Sequence, residues 1–165
     1  MRELGLEPAA LFELLRILLA FALAFPIAWE RARGHRSVGF RTLPIVAMAA
    51  CGFTLIGRSV ADIGAEGEAR VLQGIISGIG FVGAGAIVKQ GTSVRGLVTA
   101  ASIWNAGAIG AAVGFERAEI AVALSLINLI SNLFLTRYDN QNQDEDEEEV
   151  EGKQRDPPDD TFSRK

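Results

Sequence analysis

Residues Leu11–Ala28, LFELLRILLAFALAFPIA, are the first of five apolar segments that together make up most of this chain. Crossing the hydrocarbon core of a bilayer takes ~20 helical residues. No segment alternates apolar and polar residues as a barrel strand does, so the spans are predicted to be α-helices. The sequence therefore predicts an all-α integral membrane protein with five transmembrane helices and a Gly-rich central helix. The other four segments are Thr42–Gly57, Val71–Val88, Gly96–Phe115 and Ile120–Leu135.

The net charge of −4 is unevenly distributed along the 165 residues. Residues 1–138 hold 12 Lys/Arg against 9 Asp/Glu, whereas residues 139–165 hold 4 against 11. A strongly acidic segment with almost no apolar residue cannot bury enough surface to fold. We therefore predict a five-helix transmembrane domain over residues 1–138 and a disordered acidic cytoplasmic tail over residues 139–165. The tail is expected to be a solvated terminus, with docking of a basic partner as the alternative.

Basic residues in the connectors predict the orientation. The first connector, Trp29–Arg41, and the third, Lys89–Arg95, are rich in Lys and Arg, and positive residues concentrate on the cytoplasmic side of membrane proteins. The second and fourth connectors mix both signs of charge. The N-terminus is thus expected outside and the C-terminus in the cytoplasm.

Small residues crowd the third span between Gln73 and Val88. They cover more than half of the helix circumference and leave Ile75, Ile79 and Val82 as a bulky stripe. Small residues let membrane helices approach closely. We therefore expect this helix in the middle of the bundle, its bulky stripe facing lipid, and Gly78→Leu to disrupt assembly. The G-x-G-x-x-G match at Gly78–Gly83 lies mid-span and lacks the strand and acidic residue of a nucleotide site.

Arg16 lies inside the first span, where a lone charge is costly. Glu13, one turn earlier on the same face, is its expected partner, so Arg16→Leu should be harmful and Glu13→Leu should restore the protein level of that variant. Asn105 in the fourth span, together with Asn128 and Asn132 in the fifth, could either join helices by hydrogen bonds or line a polar path.

Several ordered motifs resemble those of the MgtC/SapB membrane proteins over roughly residues 10–135. The resemblance rests on an arginine in the first span, Glu30-Arg31, Gly39-Phe40-Arg41-Thr42, the segment Ser77–Gly85, and Val94–Ala101 followed by Trp104. It is a resemblance to the hydrophobic domain alone. Many relatives carry a C-terminal cytoplasmic domain at the place where this sequence has the acidic segment 139–165. The candidate functional residues are Glu13, Arg16, Glu30, Arg31, Arg41, Thr42, Gly78, Gly80, Gly83, Gly85, Arg95, Gly96, Thr99, Trp104 and Asn105.

The resemblance implies a prokaryotic cytoplasmic-membrane protein associated with growth in low magnesium, and with virulence in some members. Mg²⁺ prefers carboxylate and water oxygens, and Glu13 is the one carboxylate well inside a span. The first hypothesis is therefore a non-enzymatic protein that binds and modulates another membrane protein, or assembles as a homo-oligomer. The alternative is a small ion channel or a Mg²⁺/proton transporter. We expect no catalytic residues, cofactor or metal site, and no nucleic acid partner.

Overall fold

The computed structural model of the chain describes residues 8–33, 40–60, 64–90 and 93–134, and the acidic segment 139–165 lies outside them. The described residues are mostly helical, which confirms the all-α prediction, and α1, α2 and α4 are each long and apolar enough to cross a membrane. The fifth helix is apolar but shorter. The elements are α1 (Pro8–Arg33), α2 (Thr42–Ser59), α3 (Gly64–Ala84), β1 (Val88–Gln90), β2 (Ser93–Arg95), α4 (Leu97–Gly114) and α5 (Ala118–Phe134).

The boundaries of the third span were predicted wrongly. Helix α3 begins at Gly64 and ends at Ala84, and the chain then forms an antiparallel hairpin in which Val88 of β1 pairs with Arg95 of β2. Gly96 connects this hairpin to α4 with a φ of 89°, and a Cβ on it would overlap the carbonyl oxygen of Ala86. Only glycine fits both the left-handed conformation and the close approach.

Helix α4 is the central helix of the compact unit that ends at Ile130. It carries no charged residue and is apolar all round, which is typical of a buried helix. It packs most extensively on α2, and the core also takes in α1 and α5. The fully or almost fully buried apolar side chains of this core include Ala24, Ile27, Leu43, Ala47, Cys51, Ile103, Ala106, Ile109 and Ala121.

Three glycines of α4 make the close helix contacts of the core. A Cβ on Gly107 would overlap the side chain of Ile79, and a Cβ on Gly110 would overlap the backbone of Ala47. A Cβ on Gly114 would lie 2.5 Å from the Cβ of Thr54. Small residues thus bring α2 and α3 against α4, as expected of closely packed membrane helices.

Helix α3 faces the opposite way to the prediction. Ile75 is buried against Ala50 and Ala111, and Ile79 is half-buried, so two of the three bulky side chains face the bundle. A Cβ on Gly78 or Gly80 would meet nothing within 4 Å. The prediction that the Gly-rich face is buried is therefore wrong at Gly74, Gly78 and Gly80, whereas Gly83, at the end of α3, is buried against Ala100 of α4.

Candidate functional site: polar clusters at the two ends of the bundle

The buried and half-buried charges of the bundle lie in two clusters. Helices α1 and α3 run in one direction, and α2 and α4 run the other way. We call the end where α1 finishes and α4 begins the Arg31 end, and the opposite end the Glu116 end. Arg16 and Arg31 of α1 are 15 residues apart, or about 22 Å along a helix. The two clusters are therefore separate sites.

At the Arg31 end, a buried arginine links α1 to α4. Arg31 is only 8% exposed. Its Nη2 donates to Oγ1 of Thr99 at 2.9 Å and its Nη1 to Oγ of Ser102 at 3.3 Å. The two hydroxyls lie three residues apart, on one face of the first turns of α4. A planar guanidinium can reach both at once, which a lysine ammonium cannot do in the same way.

Aromatic rings cover the α1 side of this end. Phe25, Trp29 and Phe40 lie with ring centroids 5.8–5.9 Å apart. This distance suits offset or edge-to-face aromatic contacts. Trp29 is half exposed, as expected of a ring that anchors a helix at a membrane interface.

At the Glu116 end, one carboxylate binds arginines from two helices. Oε1 of Glu116 lies 3.0 Å from Nη2 of Arg16 and 3.0 Å from Nη1 of Arg58. Arg58 also donates to the carbonyl oxygen of Gly114 at 3.1 Å and, through Nε, to Glu68 at 3.3 Å. These contacts connect α1, α2 and α3 to the turn between α4 and α5.

The expected pairing of Glu13 with Arg16 is wrong. Glu13 is exposed, and the carboxylate that pairs with Arg16 is Glu116, on the turn after α4. The reason is tertiary: α1 and α4 are antiparallel, so the first half of α1 lies beside the end of α2 and the α4–α5 turn.

Glu116 has a backbone conformation that usually belongs to glycine. Its φ is 63°, and the amides of Glu116 and Arg117 donate to the carbonyls of Val113 and Ala112. This is the hydrogen-bond pattern of a Schellman motif, in which a left-handed residue closes the helix. The position thus turns the chain sharply and directs a carboxylate toward the two arginines.

The sequence comparisons identify the family of this chain. The model of the MgtC family matches residues 17–141. This range takes in Arg31, Thr99 and Ser102 as well as Arg58 and Glu116. The chain belongs to the MgtC family. Its family and its long apolar helices mark it as a membrane protein.

Known MgtC proteins match this chain over most of its length. It is 35% identical to protein MgtC of Salmonella typhimurium strain LT2 over 142 residues, which are 86% of this chain and 60% of the relative. It is 44% identical to protein MgtC of Brucella abortus strain 2308 over 116 residues, 70% of this chain and 48% of the relative. An uncharacterized protein of Synechocystis is 37% identical over 122 residues, 74% of this chain and 51% of the relative. The chain thus spans about half to three fifths of these relatives, and no solved structure matches it.

The other predicted residues of this MgtC-family chain fall into three groups. Gly83 and Gly96 lie near the start of α4, where Gly83 packs on the backbone of Ala100 and Gly96 on that of Ala86. Asn105 joins α4 to α5 by donating to the carbonyl of Leu124 at 3.5 Å. The remaining residues lie at the surface or at partly exposed positions: Glu30, Arg41, Thr42, Gly78, Gly80, Gly85, Arg95 and Trp104.

Sequence reasoning missed the residues that complete both clusters. Ser102 follows Thr99 by three residues, and this spacing was a usable signal for a second hydroxyl on the same helix face. Arg58 and Glu116 border two segments that the predicted topology places with their ends on the same side of the membrane, which was a usable signal that the two residues lie near each other. Within residues 8–33, 40–60, 64–90 and 93–134, no group of three or more His, Cys, Asp or Glu is arranged to hold a metal ion.

We expect the stability of the Glu116 end to depend on pH. The hydrogen bond from Arg58, with the positive charges of Arg16 and Arg58, lowers the pKa of Glu116 below its ordinary value of 4.5. A carboxylate whose pKa is lowered by folding stabilises the protein above its unfolded-state pKa, and this contribution disappears as the pH falls through the folded-state pKa. The midpoint of unfolding by SDS should therefore fall as the pH drops below 4.5.

Glu116→Gln should remove that part of the pH dependence. Glu119→Gln is the matched control, because Glu119 is 67% exposed and lies 3.8 Å from Arg117. An unchanged pH profile in Glu116→Gln would show that the Glu116 contacts do not support the fold.

Proposed function

We propose that this chain is a five-span protein of the prokaryotic cytoplasmic membrane that acts in adaptation to low magnesium by binding and modulating another membrane protein. It acts without catalysis, with its N-terminus outside and residues 139–165 in the cytoplasm. In this orientation the Glu116 end faces outward and the Arg31 end faces the cytoplasm. The names of the MgtC relatives support the family role, and the surface of α3 supports the mechanism.

The observation that carries the proposal is the outward Gly-rich face of α3. An open groove of about 480 Å³ runs between α2 and α3 and is almost entirely apolar. Ala49 and Phe53 of α2 form one side, and Val71, Gly74 and Gly78 of α3 form the other. A Cβ on Gly74 or Gly78 would meet nothing within 4 Å, so no part of the chain that the structure describes fills the space that these glycines leave.

Such a groove suits a transmembrane helix of a partner. Lipid tails are as apolar as the groove, so a hydrophobic driving force does not distinguish lipid from helix. Small residues let the backbones of two helices approach closely, and this close approach strengthens van der Waals packing between the helices. We infer that a partner helix packs along Gly74 and Gly78, with a second copy of this chain as the other candidate occupant.

The middle of the bundle favours this mechanism over transport. Between the two polar ends, the core includes Ala24, Ala47, Ala106 and Ile109, each at most 1% exposed. Thr54 and Ser125 are also buried, and their hydroxyls donate to the backbone carbonyls of Ala50 and Leu23. An ion or proton path would have to run between tightly packed apolar side chains and hydroxyls that already bond to the backbone.

Gly78→Leu is expected to leave the fold intact and to abolish partner binding. The leucine side chain enters open space, so the level of the protein in the membrane should match the wild type. In a host lacking its own MgtC, growth in low magnesium should be lost. Ala123→Leu is the matched control, since Ala123 is an exposed alanine of α5 outside the groove, and it should support growth like the wild type.

Photo-crosslinking tests the same surface directly. A photoreactive residue at position 78 should yield a discrete crosslinked protein in native membranes, whereas one at position 123 should yield none. If position 78 gives only monomer and Gly78→Leu still supports growth, the docking mechanism is wrong. Mg²⁺ or proton flux through the purified protein in liposomes would instead establish the transporter alternative.

A further inference from the structure

A second cleft lies over α4, and Ile75 and Ile79 of α3 line both this cleft and the α2–α3 groove. The cleft has a volume of about 590 Å³, which is within the ~300–1,000 Å³ typical of small-molecule sites. Its floor is α4, with Gly107, Ala108, Ala111 and Ala112. Helix α3 forms one wall and the start of α5 forms the other. The cleft exists because the floor residues are small, so the side chains of the walls stand above them.

The polar and apolar parts of the cleft are sharply separated. The charged side chains that line it are Arg58, Glu68 and Arg117, all at the Glu116 end. Toward the other end the lining is apolar, with Leu72 and Ile76 on α3 and the Trp104 ring on α4. A ligand that fits this pattern has a charged group at one end and a hydrocarbon body.

The length of the cleft identifies the kind of ligand. From Phe115 to Trp104 it follows α4 for 11 residues, or about 16 Å. The hydrocarbon core of a bilayer is ~30 Å thick, so the cleft is about as deep as one leaflet. A partner helix that crosses the membrane would extend well past it, whereas a lipid acyl chain would end inside it.

Arg117 is the cation available for the head of such a ligand. Arg58 already contacts Glu68, Glu116 and a backbone carbonyl. Arg117 is 67% exposed, and its nearest carboxylate, on Glu119, lies 3.8 Å away. This is a loose surface pair that competes weakly with a phosphate.

We propose that this cleft binds one acyl chain of an anionic phospholipid from the leaflet at the Glu116 end, with the lipid phosphate on Arg117. The acyl chain lies on the Gly/Ala floor of α4, and the lipid thereby becomes part of the contact between α3 and α5. The proposal rests on the bundle crossing a membrane, as proposed above, but not on any partner protein.

The test uses the full chain in phosphatidylcholine nanodiscs that contain a minor fraction of phosphatidylglycerol with a diazirine on its acyl chain. After irradiation, labelled residues are mapped by mass spectrometry. Labelling should be enriched several-fold at Leu72, Ile76 and Ala108 over Leu18 and Leu19, which are exposed on α1. Arg117→Gln should lower labelling of the cleft about fivefold, the effect of one basic residue near an anionic lipid, and leave labelling of α1 unchanged.

Two further pairs of variants make the result decisive. Ala108→Leu fills the cleft and should abolish its labelling, whereas Ala101→Leu places the same side chain on an exposed position of the same helix and should have no effect. Arg70→Gln, an exposed arginine of α3 outside the cleft, is the control for Arg117→Gln.

Three results would overturn the lipid site. They are equal labelling of the cleft and α1, labelling of the cleft that persists in Ala108→Leu, and a crosslink from the cleft to a second protein chain. Loss of all labelling, including that of α1, would instead contradict the membrane placement itself, so failure of the lipid site and failure of the proposed function are distinguishable.

Discussion

Gly110→Ala is expected to destabilise the bundle by on the order of 3 kcal/mol, even though a single methyl group is added. The new Cβ would overlap the backbone of Ala47, and backbone cannot rotate away as the end of a side chain can. Helices α2 and α4 would have to separate along their main contact. The measurement is SDS-induced unfolding of the purified protein, together with its level in the membrane.

Gly78→Ala is the matched control for this prediction. It makes the same chemical change in another helix, at a position where the Cβ meets nothing within 4 Å. Alanine favours helix over glycine by ~1 kcal/mol, so Gly78→Ala should be neutral or slightly stabilising. If both variants unfold alike, the close contact between α2 and α4 is not the one described.

Arg31→Leu is expected to cost about 3 kcal/mol of stability. It removes two hydrogen bonds from a charged, buried donor, and bonds of this kind contribute ~1.5–3 kcal/mol each. It also leaves the hydroxyls of Thr99 and Ser102 without the guanidinium. Arg31→Lys should recover little of this, because an ammonium lacks the planar fork that reaches both oxygens.

The double variant Arg31→Leu with Thr99→Val separates this contact from general damage. If the two side chains are coupled, Thr99→Val should cost much less in the Arg31→Leu background than in the wild type. Arg41→Leu, an exposed arginine at the start of α2, is the charge control and should stay close to the wild type. Additive losses in the double variant would contradict the contact between Arg31 and Thr99.

Much of the helical framework could be predicted from the sequence. The uncharged segments Thr42–Gly57 and Gly96–Phe115 predicted the ends of α2 and α4 to within two residues. The α3–β1 boundary could not be placed this way, because apolarity continues past Ala84 into strand residues. A span assigned by hydropathy alone does not distinguish the end of a helix from a short hairpin.

The direction in which α3 faces could not be predicted from its own residues. Both faces of α3 are plausible contact surfaces, one with glycines and the other with isoleucines. Gly107 on α4 decides between them, because it leaves room for Ile79. Contacts of this kind depend on pairs of residues far apart in sequence, and the partner of Arg16 was missed for the same reason.

The ion pair of Arg16 with Glu116 cannot form until late in synthesis of the chain. The arginine leaves the ribosome about 100 residues before the carboxylate that neutralises it, which at ~5–20 residues per second is a delay of roughly 5–20 s. Until then, α1 carries an uncompensated charge near one of its ends. The contact between α1 and the α4–α5 turn can therefore form only after Glu116 has been synthesised, so the earliest helix of the chain makes this contact last.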